Sequence, residues 1–239
     1  MSPVEGKRDG MFITFEGCDG TGKSTQAARL AASLRLAGET VVETREPGGS
    51  PRAEAIRELL LSGKAARFGA FAETMLFNAA RADHLRATIR PALARGAIVI
   101  CDRFADSTRA YQGVLGEVDG SVVRAAEEAV VGDTKPDLTI ILDLPPQLTL
   151  KRLAARRAVD RPDRFEAEAL DHYAKLRQAY LDIAAEFPER CVVVSARRSV
   201  DQIAERVARL VEVRRTGKPP RRPAKRAARD RDGGEQEQD

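Results

Sequence analysis

Gly17-Cys18-Asp19-Gly20-Thr21-Gly22-Lys23-Ser24 places two glycines ahead of a Lys-Ser pair at the spacing G-x-x-x-x-G-K-[ST]. Residues 11–16 before it form an apolar run short enough for a buried strand, and residues 26–34 after it are rich in helix formers. Strand, glycine loop and helix in that order confine the chain to folds in which a strand's carboxyl end feeds a helix N-terminus. Glycines let the backbone close around phosphate oxygens. The loop N–H groups and the helix N-terminus then face a multiply negative ligand. Residues Gly17 to Ser24 are therefore the candidate nucleotide-phosphate-binding set, with Lys23 reaching the β- and γ-phosphates and the Ser24 hydroxyl holding Mg²⁺.

Strand signals recur at residues 40–44, 97–101, 138–144 and 191–195, with helical periodicity between them. Expected helices cover residues 52–61, with Ile56, Leu59 and Leu60 inward, and 71–94, with Met75, Leu76, Ala79, Leu85, Ile89 and Leu93 as its apolar residues and a kink near Pro91. Further helices cover 108–112, 122–131 and 147–156. One C-terminal helix aligns Leu176, Tyr180, Ile183 and Phe187, and the last carries Ile203, Val207, Leu210 and Val211. Near-apolar strands alternating with helices predict a three-layer α/β/α fold around a five-stranded parallel sheet. Ligands of such sheets gather at the carboxyl ends of the strands. That rule draws together the glycine loop, the Arg45-Glu46-Pro47-Gly48-Gly49 turn and Asp102-Arg103.

The basic balance of the chain is local. Residues 214–239 hold nine Lys/Arg and five Asp/Glu and so account for the whole net charge of +4, leaving 31 of each sign before them. The folded body is not a general polyanion binder, nucleic acid is not an expected partner, and the alternating charges of the tail suit a solubilising role. The expected division is a disordered lead at 1–10, a body at 11–213 and a disordered charged tail at 214–239. Three cysteines, Cys18, Cys101 and Cys191, have no metal spacing, and with no apolar leader they imply reduced thiols and a cytoplasmic setting. No apolar run approaches the ~20 residues of a membrane span. His84 and His172 have no metal-ligand partners in the sequence and read as surface residues.

Arginine is concentrated where the phosphate loop should look: Arg45, Arg81, Arg103, and an arginine-rich loop at about 157–164 that resembles a lid. Guanidinium forks suit phosphate oxygens, and their number suits two phosphorylated substrates held head to head. Arg152 and Arg157 read as solvated charges. A closing lid would bring positive charge onto a transferring phosphoryl group and keep water out.

The motifs Phe15-Glu16-Gly17 through Lys23-Ser24-Thr25, Thr44-Arg45-Glu46-Pro47-Gly48-Gly49, Leu76-Phe77 with Arg81, Asp102-Arg103-Phe104 with Ser107-Thr108, Ala110-Tyr111-Gln112-Gly113, Leu142-Asp143-Leu144 and Asp163-Arg164-Phe165-Glu166 stand in one order. On them the chain resembles bacterial thymidylate kinases, P-loop nucleoside monophosphate kinases, over about residues 11–211. The resemblance implies transfer of the ATP γ-phosphoryl to dTMP, giving dTDP and ADP, with Mg²⁺, and a homodimer formed through the long helices. It implies that Arg45 and Arg103 fix the acceptor phosphate, Phe77 stacks on thymine, and Arg81, Thr108 and Gln112 bond its edge. Tyr111 would crowd the sugar 2′ position, Asp19 would touch the acceptor's sugar or its bound water, and Asp102 would lie near the metal and phosphates. Some members carry an arginine where this chain has Gly20. Members without it use a lid arginine, for which Arg156 is the choice here and Arg161 the competitor. No general base is required, because the acceptor oxygen is already anionic near neutral pH.

Three rival readings stand beside this one, one of them a nucleic-acid role for the basic tail, against which its alternating charges and five acidic residues weigh. A kinase for another nucleoside monophosphate would differ in acceptor preference. A GTPase-like switch draws support from Thr134-Lys135-Pro136-Asp137, which mimics a guanine-reading box, but that segment precedes a strand where such a box should follow one.

Overall fold

The computed structural model describes residues 10–157 and 163–217, without the side chains of 156, 157 and 163–168. Strands β1 (Phe12–Glu16), β2 (Val41–Arg45), β3 (Ile98–Asp102), β4 (Leu138–Asp143) and β5 (Cys191–Ser195) form one parallel sheet in the order β2-β3-β1-β4-β5. Helices α1 (Lys23–Leu36), α2 (Pro51–Leu61), α3 (Gly69–His84), α4 (Arg90–Ala94) and α5 (Ala105–Thr108) occupy the first half. The second half adds α6 (Gly120–Val131), α7 (Pro146–Arg157), α8 (Asp163–Glu186) and α9 (Val200–Thr216).

The pleat of β1 explains the layers. Ile13 and Phe15 point to the face packed by α1 and α9, against Leu30, Leu34, Val207 and Val211. Phe12 points to the other face, where Leu85, Ile89, Leu93 and Val99 meet it. Fully burying each such side chain stabilises the fold by roughly 1.5–3 kcal/mol. A third cluster joins Ile141 to Leu176, Tyr180 and Ile183 of α8. The expected parallel α/β sandwich is thus the observed one, though the edge strands β2 and β5 are only partly covered.

Several expectations are corrected. The 71–94 helix is interrupted at Leu85–Ile89 by a wide π turn leading into α4. Pro91 accounts for it: proline has no N–H to donate and its ring excludes the carbonyl four residues back. The segment after α5, Arg109–Leu115, is also π-helical and carries Tyr111 and Gln112. Leu59 faces outward on α2, leaving Leu60 as the buried leucine there. Helix α3 buries a polar face, Thr74, Asn78, Arg81 and His84, while Phe71 and Met75 are exposed. The boundary expected at 213 falls inside α9, which runs to Thr216 and ends on Gly217, with Arg214 bonded to the Glu189 carbonyl and Arg215 to Glu39. Residues 1–9, 158–162 and 218–239, which hold most of the expected lead, lid and tail, lie outside the described residues.

Candidate active site

The carboxyl ends of three strands are level: Phe15 and Arg45 both pair with Asp102 of β3. Above that edge lies a cavity of about 560 Å³, lined by the glycine loop, the Arg45–Pro47 turn, α3 and the segment after β3. Of the predicted site residues, Asp19, Gly20, Gly22, Lys23, Ser24, Arg45, Phe77, Arg81, Asp102, Arg103, Thr108, Tyr111 and Gln112 line it together. Gly17, Cys18 and Thr21 stand behind the wall. A Cβ on Gly17, whose φ is +127°, would meet the Leu142 carbonyl oxygen at 2.5 Å, so the loop can cross β4 only as glycine. Thr21 donates its hydroxyl to the Cys18 carbonyl at 2.8 Å and braces the loop. The Cys18 side chain packs in the α8 cluster, where burial pushes its thiol up to about 11. The side chains of Arg156, Arg161 and Arg164 lie outside the described residues.

Lys23 is nearly buried and folds back on its own loop, donating to the carbonyls of Gly17 and Cys18 at 3.0 Å each. Burial, with the nearby Arg103 charge, lowers it to about 8, against the pull of Asp19 and Asp102. It remains an ammonium at neutral pH, aimed by the loop that would wrap the phosphates.

Arg103 leaves β3 at a φ of +70°, an uncommon region for a non-glycine residue. The conformation is over-determined. Its N–H donates to the Phe15 carbonyl at 2.9 Å, and Nη1 donates to Ser107 Oγ and Tyr180 Oη at 3.0 and 3.2 Å. Nη2 donates to Asp19 Oδ1 at 2.5 Å and Tyr111 Oη at 3.2 Å. The guanidinium carbon also sits 5.1 Å from the Tyr111 ring centre, within cation–π range. Burial works against an ionised Asp19, but the Arg103 and Lys23 charges outweigh it and hold that carboxyl below its usual range.

Ser24 donates to Asp102 Oδ2, and the other oxygen, Oδ1, is buried without a partner. A hydroxyl and a carboxylate with a spare oxygen beside the phosphate loop fit a hard dication that keeps most of its water. Among the described residues no group of three or more His, Cys, Asp or Glu side chains is placed to hold a metal ion.

Arg45 is held by both oxygens of Glu54, at 3.1 and 3.2 Å, and half of its side chain stays exposed at the cavity rim. Arg81 is fully buried: Nε donates to Glu46 Oε2 at 2.8 Å, Nη1 to Asn78 Oδ1 at 3.2 Å, and Nη2 to Thr108 Oγ1 and the Phe104 carbonyl. Four of its five N–H groups are thereby used inside the protein, which leaves one on Nη1 of a residue that lines the cavity.

Sequence reasoning missed a buried second layer. Glu16 accepts from the Phe104 N–H and from Ser107 Oγ at 2.7 Å each, and from Tyr180 Oη at 3.3 Å. Burial, reinforced by the Asp106 charge, pushes Glu16 up to about 7. A carboxylate ending an otherwise apolar strand was the available signal. Nothing in the sequence marks the Tyr180 hydroxyl, which rides on a helix read as core. His84, expected at the surface, is wholly buried and bonds Glu46 and Thr44. Arg152, read as a solvated charge, instead donates to the Ala196 carbonyl at 2.8 Å and the Gly20 carbonyl at 3.4 Å. Arg57, not singled out, lines the cavity. The guanine-box mimic lies at the wrong end of the sheet: the Phe12 N–H donates to Asp137 Oδ2, at the amino ends of β1 and β4.

A family model described as thymidylate kinase matches residues 15–207. The chain belongs to the thymidylate kinase family. It is 55% identical over 203 residues to the thymidylate kinase of Nitrobacter hamburgensis, covering 85% of this chain and 88% of that protein. It is 52% identical over 208 residues to that of Caulobacter vibrioides, covering 87% and 98%. The crystal structure of the thymidylate kinase from Ehrlichia chaffeensis superposes with a TM-score of 0.68 at 35% identity, over 85% of this chain and 98% of that one. The thymidylate kinase match spans all the cavity-lining loops described above, from the phosphate loop to the segment after β3.

Proposed function

We propose that the chain transfers the γ-phosphoryl group of ATP to dTMP, giving dTDP and ADP. The observation that carries this reading is that the phosphate loop and a second anion-binding group, Arg103, open into the same cavity as Phe77 and Arg81. Two nucleotides can meet there with their phosphates facing. Lys23 and the loop amides, including that of Gly22, take the donor phosphates. Arg103 and Arg45 take the acceptor phosphate, and Arg45 exchanges its exposed pairing with Glu54 for it. Phe77 covers the base, while Arg81 offers its last N–H to a base carbonyl beside Thr108 and Gln112. Tyr111 stands at the sugar and bonds Arg103, which excludes a 2′-hydroxyl and stiffens the phosphate clamp together. Asp19 holds Arg103 and meets the same sugar.

Mg²⁺ is proposed beside Ser24 and Asp102, where it would neutralise phosphate charge. No side chain need remove a proton, because the attacking phosphate oxygen is already anionic. Alignment and positive charge supply the catalysis. On sequence grounds Arg156 is assigned to the transferring phosphoryl, with the arginines of 157–164 closing over it. A homodimer is proposed across α2, α3 and the turn between them, where Leu59, Phe68, Phe71 and Met75 are exposed close together in the chain. The proposed setting is the cytoplasm, where ATP is available and the three buried free thiols stay reduced. Among the described residues no helix is long and apolar enough to cross a membrane.

ADP release measured with dTMP, dUMP, UMP, CMP and AMP as acceptors tests the reaction. The expected order has dTMP first, dUMP weaker and the ribonucleotides far behind. Preference for any acceptor over dTMP would overturn the assignment. Light scattering of the purified chain tests the dimer.

A further inference from the structure

The one buried histidine of the chain sits behind the base-reading wall, in a line of hydrogen bonds that ends on Arg81. Thr44 Oγ1 and His84 Nε2 are 2.7 Å apart, and His84 Nδ1 lies 3.0 Å from Glu46 Oε1. The other oxygen of Glu46 takes Arg81 Nε at 2.8 Å. The Glu46 carboxylate only accepts, so Nδ1–H is the donor to it, and Nε2 shares a hydrogen bond with the threonine hydroxyl. His84 and Arg81 are three residues apart on α3, so both project from the same helical face. The imidazole also supports the glycine turn. A Cβ on Gly49 would meet His84 Nε2 at 2.3 Å, so the backbone lies directly on the ring.

Glu46 cannot find its position by solvation, because it and Arg81 are both at most about one-twentieth exposed. Its carboxylate has two acceptor oxygens, one spent on each neighbour. If the histidine donor is removed, Oε1 is left buried without a partner, and the carboxylate must rotate to find one. Rotation moves Oε2, and Arg81 Nε follows, which turns the free Nη1 N–H away from the base. We infer that His84 is a positioning residue for base recognition, acting through Glu46 to aim Arg81. The inference rests on the proposed role of Arg81 toward the nucleobase. His84 does not touch the substrate, since it does not line the cavity.

The test compares His84→Asn, which keeps a donor near the Nδ1 position, with His84→Leu, which keeps bulk and loses it. The affinities for dTMP and for ATP are measured by calorimetry, with turnover of dTMP and dCMP alongside. The expected result is a dTMP affinity about tenfold or more weaker in His84→Leu, the scale of one lost charge-assisted hydrogen bond. ATP affinity should stay within twofold (about the reproducibility of such measurements), and the Asn variant should recover most of the loss. Discrimination between dTMP and dCMP should narrow, because the 4-position carbonyl of thymine accepts a bond that the cytosine amine cannot. If His84→Leu does not fold, Glu46→Gln gives the same readout by removing the charge that holds Arg81. Unchanged dTMP affinity, or equal loss of dTMP and ATP affinity, would overturn the inference and leave His84 as core filling. Failure of the wild type to use dTMP would instead sink the proposed reaction, before any variant is compared.

Discussion

Arg103 Nη2 meets Asp19 Oδ1 at 2.5 Å, tying the end of β3 to the phosphate loop. The guanidinium that would clamp the acceptor phosphate is therefore set by the donor's own loop, and the two half-sites share a joint. Replacing it should separate charge from geometry. Arg103→Ala should lower kcat/KM for dTMP by roughly 10²–10³, the scale for one preorganised donor at developing charge. Arg103→Lys should rescue little, because an ammonium cannot bond Ser107, Tyr180, Asp19 and Tyr111 at once. Steady-state kinetics, with circular dichroism to confirm folding, decides. Near-normal turnover in the lysine variant would remove the fork from the account.

Lys23 carries a pH signature. Burial has brought the ammonium down to about 8, so it begins to lose its proton just above neutral pH. Triphosphate favours the charged form and raises that value again. ATP binding near pH 8.5 should therefore take up protons, and at pH 6.5 this group should take up none. Calorimetry in buffers of different ionisation enthalpy reads the difference directly. Buffer-independent heats at pH 8.5 would contradict the buried-ammonium description.

Glu16 should leave its mark on stability. Its carboxyl titrates at about 7 in the folded chain, against 4.5 for an unburied glutamate. Between those values the folded state holds a proton that the unfolded state has released. The associated stability is complete below pH 4.5 and is lost as the pH rises through 7. Glu16→Gln should flatten that stretch of the profile, a difference of up to roughly 3 kcal/mol across the window. Urea midpoints of both proteins from pH 5 to 8 give the comparison. Parallel profiles would mean that Glu16 is already ionised when folded.

The cavity floor was legible because its residues stand at strand ends. Gly17 to Ser24 and Asp102-Arg103 follow apolar runs, and parallel sheets put ligands there. What lay beneath was not legible, for a physical reason. Periodicity sorts residues by apolar character, and the inner face of α3 is polar: Thr74, Asn78, Arg81 and His84 are buried while Met75 is exposed. An amphipathic reading turns that helix around. Arg152 escaped for the opposite reason. Its partners are the backbone carbonyls of Gly20 and Ala196, and no side-chain pattern announces a carbonyl. Pro91 announced a kink, but not that the helix would absorb it as a π turn ahead of the proline.

Metal dependence gives the sharpest test of the phosphate end. Ser24 donates to one oxygen of Asp102 and leaves the other buried and unpartnered, a cost of about 1–3 kcal/mol unless a cation or its water uses that oxygen. Asp102→Asn replaces an acceptor-only carboxylate with an amide that places two donors in the same space. Half-maximal activation should then require roughly 10–100 times more Mg²⁺, as for other outer-shell partners of a metal. Ser24→Ala should raise the requirement too, while leaving the affinity for dTMP measured without ATP unchanged, because the acceptor half of the cavity does not use that hydroxyl. Activity titrated with Mg²⁺ at fixed nucleotide, and dTMP calorimetry in its absence, distinguish the two halves. Equal Mg²⁺ requirements in the wild type and Asp102→Asn would move the metal away from this pair.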